Sequence, residues 1–291
     1  MKTSDLLKKV RKIEIKTKGL SNHIFSGEYH TAFKGKGMAF SEVREYQHGD
    51  DVRLIDWNVT ARYNTPFIKI FEEEREMTVM LMVDISASGN FGSDKQFKKE
   101  LATEISAVLA FSAINNNDKV GLILFTDCVE KFIPPKKGKT HILRIIRELL
   151  AFKPNGKKTD VAKGIEYFNS VIKKKSVCFI LSDFISPDFK KPLSISSNKH
   201  DIIALRIYDK REEYIPKVGM IAFKDAETGK VKFIDSFDQK TRESFKKESE
   251  IEKRKLKKIF PSCGVDLIEI NTKEDYVKPL INFFKSREKR R

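Results

Sequence analysis

Apolar residues along the chain fall into short runs that alternate with longer amphipathic stretches. Uninterrupted apolar runs predict strands at 79–83, 120–125, 177–182, 202–207 and 265–270. Apolar positions at helical spacing predict helices at about 94–116, 140–152, 160–174, 239–260 and 275–286. This alternation predicts an α/β fold of the Rossmann-like type, with a mainly parallel sheet and helices on both faces.

Further patterns extend this region at its edge and outside the sheet. Residues 129–133 follow a strand after a very short turn, which predicts an antiparallel edge strand. Apolar stretches at 218–223 and 230–234 predict an inserted hairpin. Residues 4–13 predict a short helix, and no period dominates up to about residue 75. We therefore predict an N-terminal segment at 1–76 and an α/β domain at 77–287.

Composition favours a globular protein of the cytoplasm. The chain has 291 residues, 40% of them hydrophobic and 34% charged. No apolar run approaches the roughly 20 residues of a membrane span, and the first residues lack the apolar segment of a signal peptide. Cys128, Cys178 and Cys263 are widely spaced, which favours free thiols in a reducing compartment. We expect a cytoplasmic location and no membrane span.

The net charge of +16 raises the question of nucleic-acid binding. The densest basic runs, at 253–258 and 287–291, belong to a predicted helix face and to the tail. No strand shows the aromatic-plus-basic pattern of an RNA-recognition sheet. We therefore favour lysines on solvated faces over a nucleic-acid site, and an acidic protein partner would fit the same surface.

Oxygen-bearing side chains follow two of the predicted strands and precede one helix. Asp84 closes the run at 79–83, Asp183 follows the run at 177–182, and Thr159 precedes a predicted helix. The carboxyl ends of parallel strands meet at one edge of a sheet, so these loops should converge there. Hard divalent cations prefer such oxygen ligands. The sequence predicts a cation site formed by Asp84, Ser86, Ser88, Thr159 and Asp183.

Roughly residues 77–285 resemble the von Willebrand factor A domain, and the five oxygen donors match its metal-ion-dependent adhesion site. The resemblance implies Mg²⁺ or Mn²⁺ with one open coordination position, which an acidic side chain of a partner fills. Lys157 and Lys158 stand where the family usually has glycines, and their ammonium groups would oppose a cation. The alternative is a metal-free relative in which Asp84 caps a turn and the two serines cap a helix.

A second signature lies in the segment at 35–62. It contains a glycine pair, a phenylalanine, Arg-Glu-Tyr, Gly-Asp and Asp-Trp followed by Ala-Arg. These residues and spacings resemble domain-of-unknown-function family 58. The resemblance implies a non-catalytic adaptor that accompanies a MoxR-type AAA+ ATPase in chaperone-like assembly or maturation.

Residue chemistry alone predicts a packed polar layer in this segment. Arginines could form bidentate pairs with nearby carboxylates, and the rings of Tyr46 and Trp57 could anchor the segment to the sheet domain. A catalytic site at His48, Asp50 and Asp56 is the less favoured alternative. The predicted pairing partners are Arg44, Arg53 and Arg62 with Glu45, Asp50, Asp51 or Asp56.

Taken together, these features predict a metal-dependent protein-binding adaptor rather than an enzyme. The expected partners are a MoxR-type AAA+ ATPase and a client protein that presents an acidic residue. Phosphate-loop, dinucleotide and zinc motifs are absent from the sequence. The alternatives are a metal-dependent phosphoesterase or nuclease, and a basic nucleic-acid-binding protein.

Overall fold

The computed structural model describes residues 39–72, 76–90, 97–224 and 231–290, together with residues 11 and 13. Contacts divide the chain into two compact units, with residues 39–77 in one and the residues from 78 onward in the other. Apart from residues 11 and 13, the predicted helix at 4–13 lies outside the described residues.

The smaller unit contains an antiparallel strand pair and a short helix. Its elements are β1 (Ala39–Glu45), α1 (Trp57–Tyr63) and β2 (Phe67–Glu72). Strand β1 pairs with β2, and Glu45 lies opposite Phe67. Ile68 is buried, whereas Trp57 is 71% exposed. Because the unit is small and largely exposed, few of its positions need to be apolar. Its sequence therefore shows no regular hydrophobic period.

Polar contacts fix the turns of the smaller unit. Arg44 donates two hydrogen bonds to the carboxylate of Asp50, of 2.9 and 2.7 Å, which confirms one predicted pair. Asp56 accepts from the backbone N–H groups of Asn58 and Val59 and so caps α1. Among the described residues, neither of the other two predicted arginines, Arg53 and Arg62, forms an ion pair.

The larger unit is built on a six-stranded sheet. Its strand order is β10-β7-β6-β3-β4-β5, and every neighbouring pair is parallel except β4 with β5. The antiparallel edge strand is therefore confirmed, as is the mainly parallel sheet. The strands are β3 (Thr78–Asp84), β4 (Lys119–Phe125), β5 (Val129–Lys136), β6 (Val177–Ser182), β7 (Asp201–Tyr208) and β10 (Asp266–Asn271).

Helices cover both faces of this sheet. The helices are α2 (Lys98–Asn115), α3 (Lys139–Ala151), α4 (Val161–Val171), α5 (Lys190–Lys199), α6 (Gln239–Ser262) and α7 (Val277–Lys289). Helices α4, α5 and α6 pack on the strand face that carries Met80 and Met82. Helix α2 contacts β3, β4 and β7 and packs against α3, while α7 contacts β10. Successive strand residues point to opposite faces, so the buried Leu81 and Val83 lie on the face opposite to that of Met80 and Met82.

An insertion separates β7 from α6. It contains the antiparallel hairpin of β8 (Met220–Lys224) and β9 (Val231–Asp235), as predicted. The hydroxyl of Ser236 closes the base of the hairpin, because it accepts from Val218 N and donates to Gly219 O.

All three cysteines are free; Cys178 and Cys263 are buried and Cys128 is exposed. Within the described parts of the chain, the helices are too short or too polar to cross a bilayer.

Candidate metal centre

The predicted cation site lies where the strand order of the sheet reverses. Strand β3 is followed in the chain by β4 on one side of it, whereas β6 lies on its other side. Open α/β sheets bind ligands outside the carboxyl ends of the strands at such a point. Asp84 is the last residue of β3, Asp183 directly follows β6, and Thr159 precedes the N-cap of α4.

The carboxylate of Asp84 is held between the loops after β3 and β6. One oxygen, Oδ1, accepts from Ser86 N at 2.9 Å, and Oδ2 accepts from Ser182 Oγ at 2.7 Å. Ser182 Oγ also accepts from Phe184 N at 3.0 Å. Ser182 was not predicted as a site residue, yet it fixes the orientation of the carboxylate that ends β3.

The three hydroxyls come from two loops that bond to each other. Ser86 Oγ and Ser88 Oγ lie 3.0 Å apart, and Ala87 N donates to Lys157 O at 3.1 Å. Thr159 is 5% exposed, and its Oγ1 has no hydrogen-bond partner among the described residues. A buried hydroxyl without a partner is costly, so this atom is poised for a ligand from outside the chain. Two carboxylates and three hydroxyls are a donor set that fits Mg²⁺ or Mn²⁺.

Glu130 positions the loop that carries Thr159. Its carboxylate accepts from Asn155 N at 3.0 Å, from Gly156 N at 2.7 Å and from Thr126 Oγ1 at 3.0 Å. A Cβ atom at Gly156 would collide with the side chains of Thr126 and Asp127, so a larger residue would displace this turn. The sequence gives no sign of Glu130, because it lies on β5, far from the candidate ligands in the chain.

The loop after β6 carries Asp183 in an unusual backbone setting. Asp183 Oδ1 accepts from Ile185 N at 3.1 Å. The residue between them, Phe184, has a φ of 61°, which is uncommon for a bulky residue. Its buried ring packs edge-on against Phe260, with ring centroids 4.9 Å apart. Core packing thus holds the sharp turn that presents Asp183 at the edge of the sheet.

A buried ammonium group occupies the same edge. Lys98, the first residue of α2, is 4% exposed, and its Nζ lies 3.1 Å from Asp183 Oδ2 and also pairs with Glu212. A buried cation is tolerated only when it is paired in this way. Lys157 and Lys158, the lysines expected to oppose a cation, are exposed. A positive charge that does contact a candidate ligand comes instead from Lys98.

Two carboxylates, those of Asp84 and Asp183, lie near each other at this edge with little access to solvent. Burial and the neighbouring charge of Asp183 raise the pKa of Asp84 to about 6, against the hydrogen bonds from Ser182 and Ser86. Burial by itself would lower the pKa of Lys98, but the charges of Asp183 and Glu212 raise it above its ordinary value. An added cation would relieve the repulsion between the two aspartates.

A cavity of about 20 Å³ lies at this edge, with Asp84, Ser88, Lys98 and Asp183 in its lining. That volume accommodates about one water molecule. The described residues contain no cluster of three or more His, Cys, Asp or Glu side chains suited to a metal. The candidate centre therefore depends on its hydroxyls as much as on its two carboxylates.

The alternative site at His48, Asp50 and Asp56 is not assembled. Asp50 is bonded to Arg44, and Asp56 caps α1 and pairs with Lys69. His48 lies in an exposed turn, and no hydrogen bond joins it to either carboxylate in the described part of the chain.

The basic run at 253–258 lies on α6, where much of its charge is paired. Lys253 contacts Glu213 at 3.3 Å, and Lys257 contacts Glu269 at 3.4 Å. Arg254 and Lys255 lie near glutamates of their own helix. The run is therefore a solvated helix face whose basic residues form several ion pairs.

Comparison with known proteins places the chain in a family. A family model described as "Protein of unknown function DUF58" matches residues 42–255. The protein of Mycobacterium tuberculosis (strain ATCC 25618 / H37Rv) named Uncharacterized protein Rv1480 is 28% identical over 283 residues, which cover 96% of this chain and 89% of the relative. YeaD of Bacillus subtilis (strain 168) is 27% identical over 109 residues, which cover 38% of this chain and 25% of YeaD.

Solved structures also overlap with this chain. BatB from Bacteroides thetaiotaomicron matches at 13% identity with a TM-score of 0.48, covering 73% of this chain and 99% of BatB. The SpRpn10 VWA domain matches at 12% identity with a TM-score of 0.40, covering 72% of this chain and 95% of that domain. The matched family model spans most of the chain, including all five candidate ligands, and the chain therefore belongs to the DUF58 family.

Proposed function

We propose that this chain is a non-catalytic adaptor that binds a partner protein through a divalent cation. Mg²⁺ or Mn²⁺ would be held at the carboxyl edge of the sheet by the five predicted ligands. The observation that carries the proposal is Thr159 Oγ1, a buried hydroxyl without a partner among the described residues, in the loop that bonds to the Ser86–Ser88 turn. The proposed ligands are Asp84, Ser86, Ser88, Thr159 and Asp183.

The composition of the ligand set suits capture of an acidic side chain. The site has two carboxylates, and Lys98 already neutralises part of the charge on Asp183. When bound, the cation would supply a positive charge with an accessible coordination position, to which a carboxylate of a client protein binds as a charge-assisted ligand. The chain's own residues fix the hydroxyls and Asp84 in place beforehand.

The positions of the histidines support binding rather than catalysis. His141 Nε2 bonds to Val120 O near the start of β4, and His200 Nδ1 bonds to Ser176 Oγ before β7 begins. Both therefore lie towards the amino-terminal edge of the parallel strands, opposite the candidate centre. Among the described residues, no histidine lines the cavity beside Asp84 as a candidate general base.

Membership of the DUF58 family supports a MoxR-type AAA+ ATPase as the second partner. We propose that the ATPase supplies the energy for remodelling while this chain selects the client through the cation. Co-purification of the chain with the ATPase, and its loss in an ATPase-free control, would test this part separately.

The decisive experiment replaces Thr159 by valine, which removes the hydroxyl and keeps the shape. We expect affinity for Mg²⁺ and Mn²⁺, measured by titration calorimetry, to fall roughly tenfold or more. In EDTA the variant should unfold at the same denaturant concentration as the wild type or a higher one, because the hydroxyl that it removes bonds to none of the residues that the structure describes. Thr103→Val is the matched control, since Thr103 is equally buried on α2 and bonds to Lys99 O.

Two results would contradict the proposal. Equal metal affinity in the wild type, Thr159→Val and Asp84→Ala would remove the site. Turnover of phosphomonoester or phosphodiester substrates with Mn²⁺, abolished by Asp84→Ala, would replace the adaptor by a metal-dependent hydrolase.

A further inference from the structure

One face of the β8–β9 hairpin carries exposed apolar residues, with Asp235 and Lys224 at its two ends. Directly opposed residues of an antiparallel pair share a face, and Ala222 lies opposite Phe233 while Met220 lies opposite Asp235. Met220 is 70% exposed and Phe233 is 72% exposed, and Val231 is half exposed. We call Met220, Ala222, Val231 and Phe233 the hairpin face.

The opposite face of the same hairpin is less exposed. Ile221 and Ile234, which pair with each other, are only partly exposed. The hairpin thus has an inner and an outer side, and the outer side presents Met220, Val231 and Phe233 to solvent. Large exposed apolar side chains that are grouped on one surface mark interaction sites rather than ordinary surface.

A basic groove adjoins the base of the hairpin. A cavity of about 400 Å³ is lined by Lys217, Arg242 and Lys246, with Glu243 as its one carboxylate. Arg242 Nη1 donates to Ser236 O at 2.6 Å, and Ser236 Oγ donates to Gly219 O at 2.6 Å. These bonds connect a residue of the groove lining to the first residues of the hairpin, so the groove lies beside the base of the hairpin.

We propose that the hairpin face and the basic groove together bind an acidic, apolar segment of another protein. Apolar side chains of the segment would cover Met220 and Phe233, and its carboxylates would pair with the cations of the groove. Charge complementarity determines this choice of partner, because three cations face one carboxylate in the groove. The surface needs no bound cation and is separate from the candidate metal centre.

Two other occupants fit the surface less well. A second copy of this chain would bring together two molecules of net charge +16, which repel each other. A membrane would take up the hairpin face together with Asp235, whose exposed side chain shares that face with Met220. Burying a carboxylate in lipid is expensive, whereas at the rim of a protein interface it remains hydrated.

The test selects peptides from a displayed random library on the full chain in EDTA, and then removes those that still bind the double variant Met220→Ser/Phe233→Ser. We expect the remaining peptides to be rich in Asp and Glu together with Leu, Ile, Phe or Trp. Synthetic versions should bind the wild type at least about tenfold more tightly than the double variant. Lys217→Glu/Lys246→Glu should weaken them as well, and added salt should do the same.

The matched control is Ile195→Ser/Ile251→Ser, which changes two exposed apolar residues on α5 and α6 and should keep full affinity. Thermal unfolding followed by circular dichroism verifies that all variants are folded. Because the selection is done in EDTA, failure of the metal centre leaves this result unaffected.

Three outcomes would overturn the inference. The selection could give no peptide that depends on Met220 and Phe233, or only basic ones. Sedimentation could show dimers of the wild type that the double variant loses, which would make a second copy the occupant. Binding to phosphatidylcholine–phosphatidylserine vesicles, lost in the double variant, would make it a membrane.

Discussion

Replacement of Asp84 by asparagine tests whether the carboxyl edge is electrostatically strained without a cation. The asparagine side chain keeps one oxygen to accept from Ser86 N and keeps the size of the residue. It removes the negative charge that lies near Asp183. We therefore expect Asp84→Asn to stabilise the metal-free protein near neutral pH, although it removes a predicted ligand.

The magnitude follows from the pKa of Asp84. A rise from 3.8 to about 6 is worth at most about 3 kcal/mol, at 1.36 kcal/mol per pKa unit. The side chain retains some solvent exposure, so we expect about 1–3 kcal/mol. Between these two pKa values the folded state holds a proton that the unfolded state has lost. The contribution of Asp84 to stability therefore falls as pH rises through this window.

The assay is urea unfolding in EDTA at about pH 7 and again at about pH 3, roughly one unit below the ordinary pKa of an aspartate. The asparagine variant should be more stable than the wild type near pH 7, and the difference should vanish at the lower pH, where the carboxyl group is neutral in both states. Asp188→Asn is the control, because Asp188 is an exposed carboxylate of the neighbouring loop. Millimolar Mg²⁺ should then stabilise the wild type and leave the asparagine variant unchanged.

Two findings would refute this reasoning. A loss of stability in Asp84→Asn at pH 7 in EDTA would mean that the hydrogen bond from Ser182, which the asparagine loses, outweighs the repulsion from Asp183. An advantage of the same size at both pH values would mean that the negative charge of Asp84 is not its source.

Two further variants test the surroundings of the centre. Lys98→Met should lower the free energy of unfolding in EDTA by about 3–5 kcal/mol, because it leaves the buried Asp183 and the partly buried Glu212 without their cation. Lys191→Met, at an exposed position, is the control, and equal stability of both variants in urea would disprove the pairing. Glu130→Gln should weaken Mg²⁺ and Mn²⁺ binding several-fold in calorimetry, because its carboxylate holds the turn before Thr159. Glu148→Gln removes a carboxylate of similar exposure on α3 and should leave metal affinity unchanged, so an equal effect of the two would contradict a positioning role for Glu130.

The strands of the central sheet could be predicted because burial on both faces leaves a continuous apolar run. Residues 79–83 are such a run, and they are almost completely inaccessible in the fold. Helix α5 was not predicted, because its ten residues include Pro192 and three serines, which are poor helix formers, and its buried positions are few. Tertiary packing of Leu193, rather than local preference, forms this helix.

The candidate ligands could be predicted because each follows a strand or precedes a helix at the same edge. Lys98 could not, since its partners Asp183 and Glu212 are distant in the sequence and belong to two other loops. In the sequence, Lys98 is one more charge at the start of a predicted helix. Ser182 was missed for a similar reason. In the sequence it is only the last residue of an apolar strand, and its bond to Asp84 forms because β3 pairs with β6.

Lys98 has a consequence for how the edge responds to its ligands. Its single ammonium group is shared between Asp183, next to the candidate centre, and Glu212, at the beginning of the insertion that carries the hairpin. A ligand that neutralises Asp183 weakens the attraction between Asp183 and Lys98. The ammonium group can then pair more strongly with Glu212. The two places therefore share one cation, so a ligand bound at Asp183 and a ligand bound at Glu212 would each change the affinity for the other by the same factor.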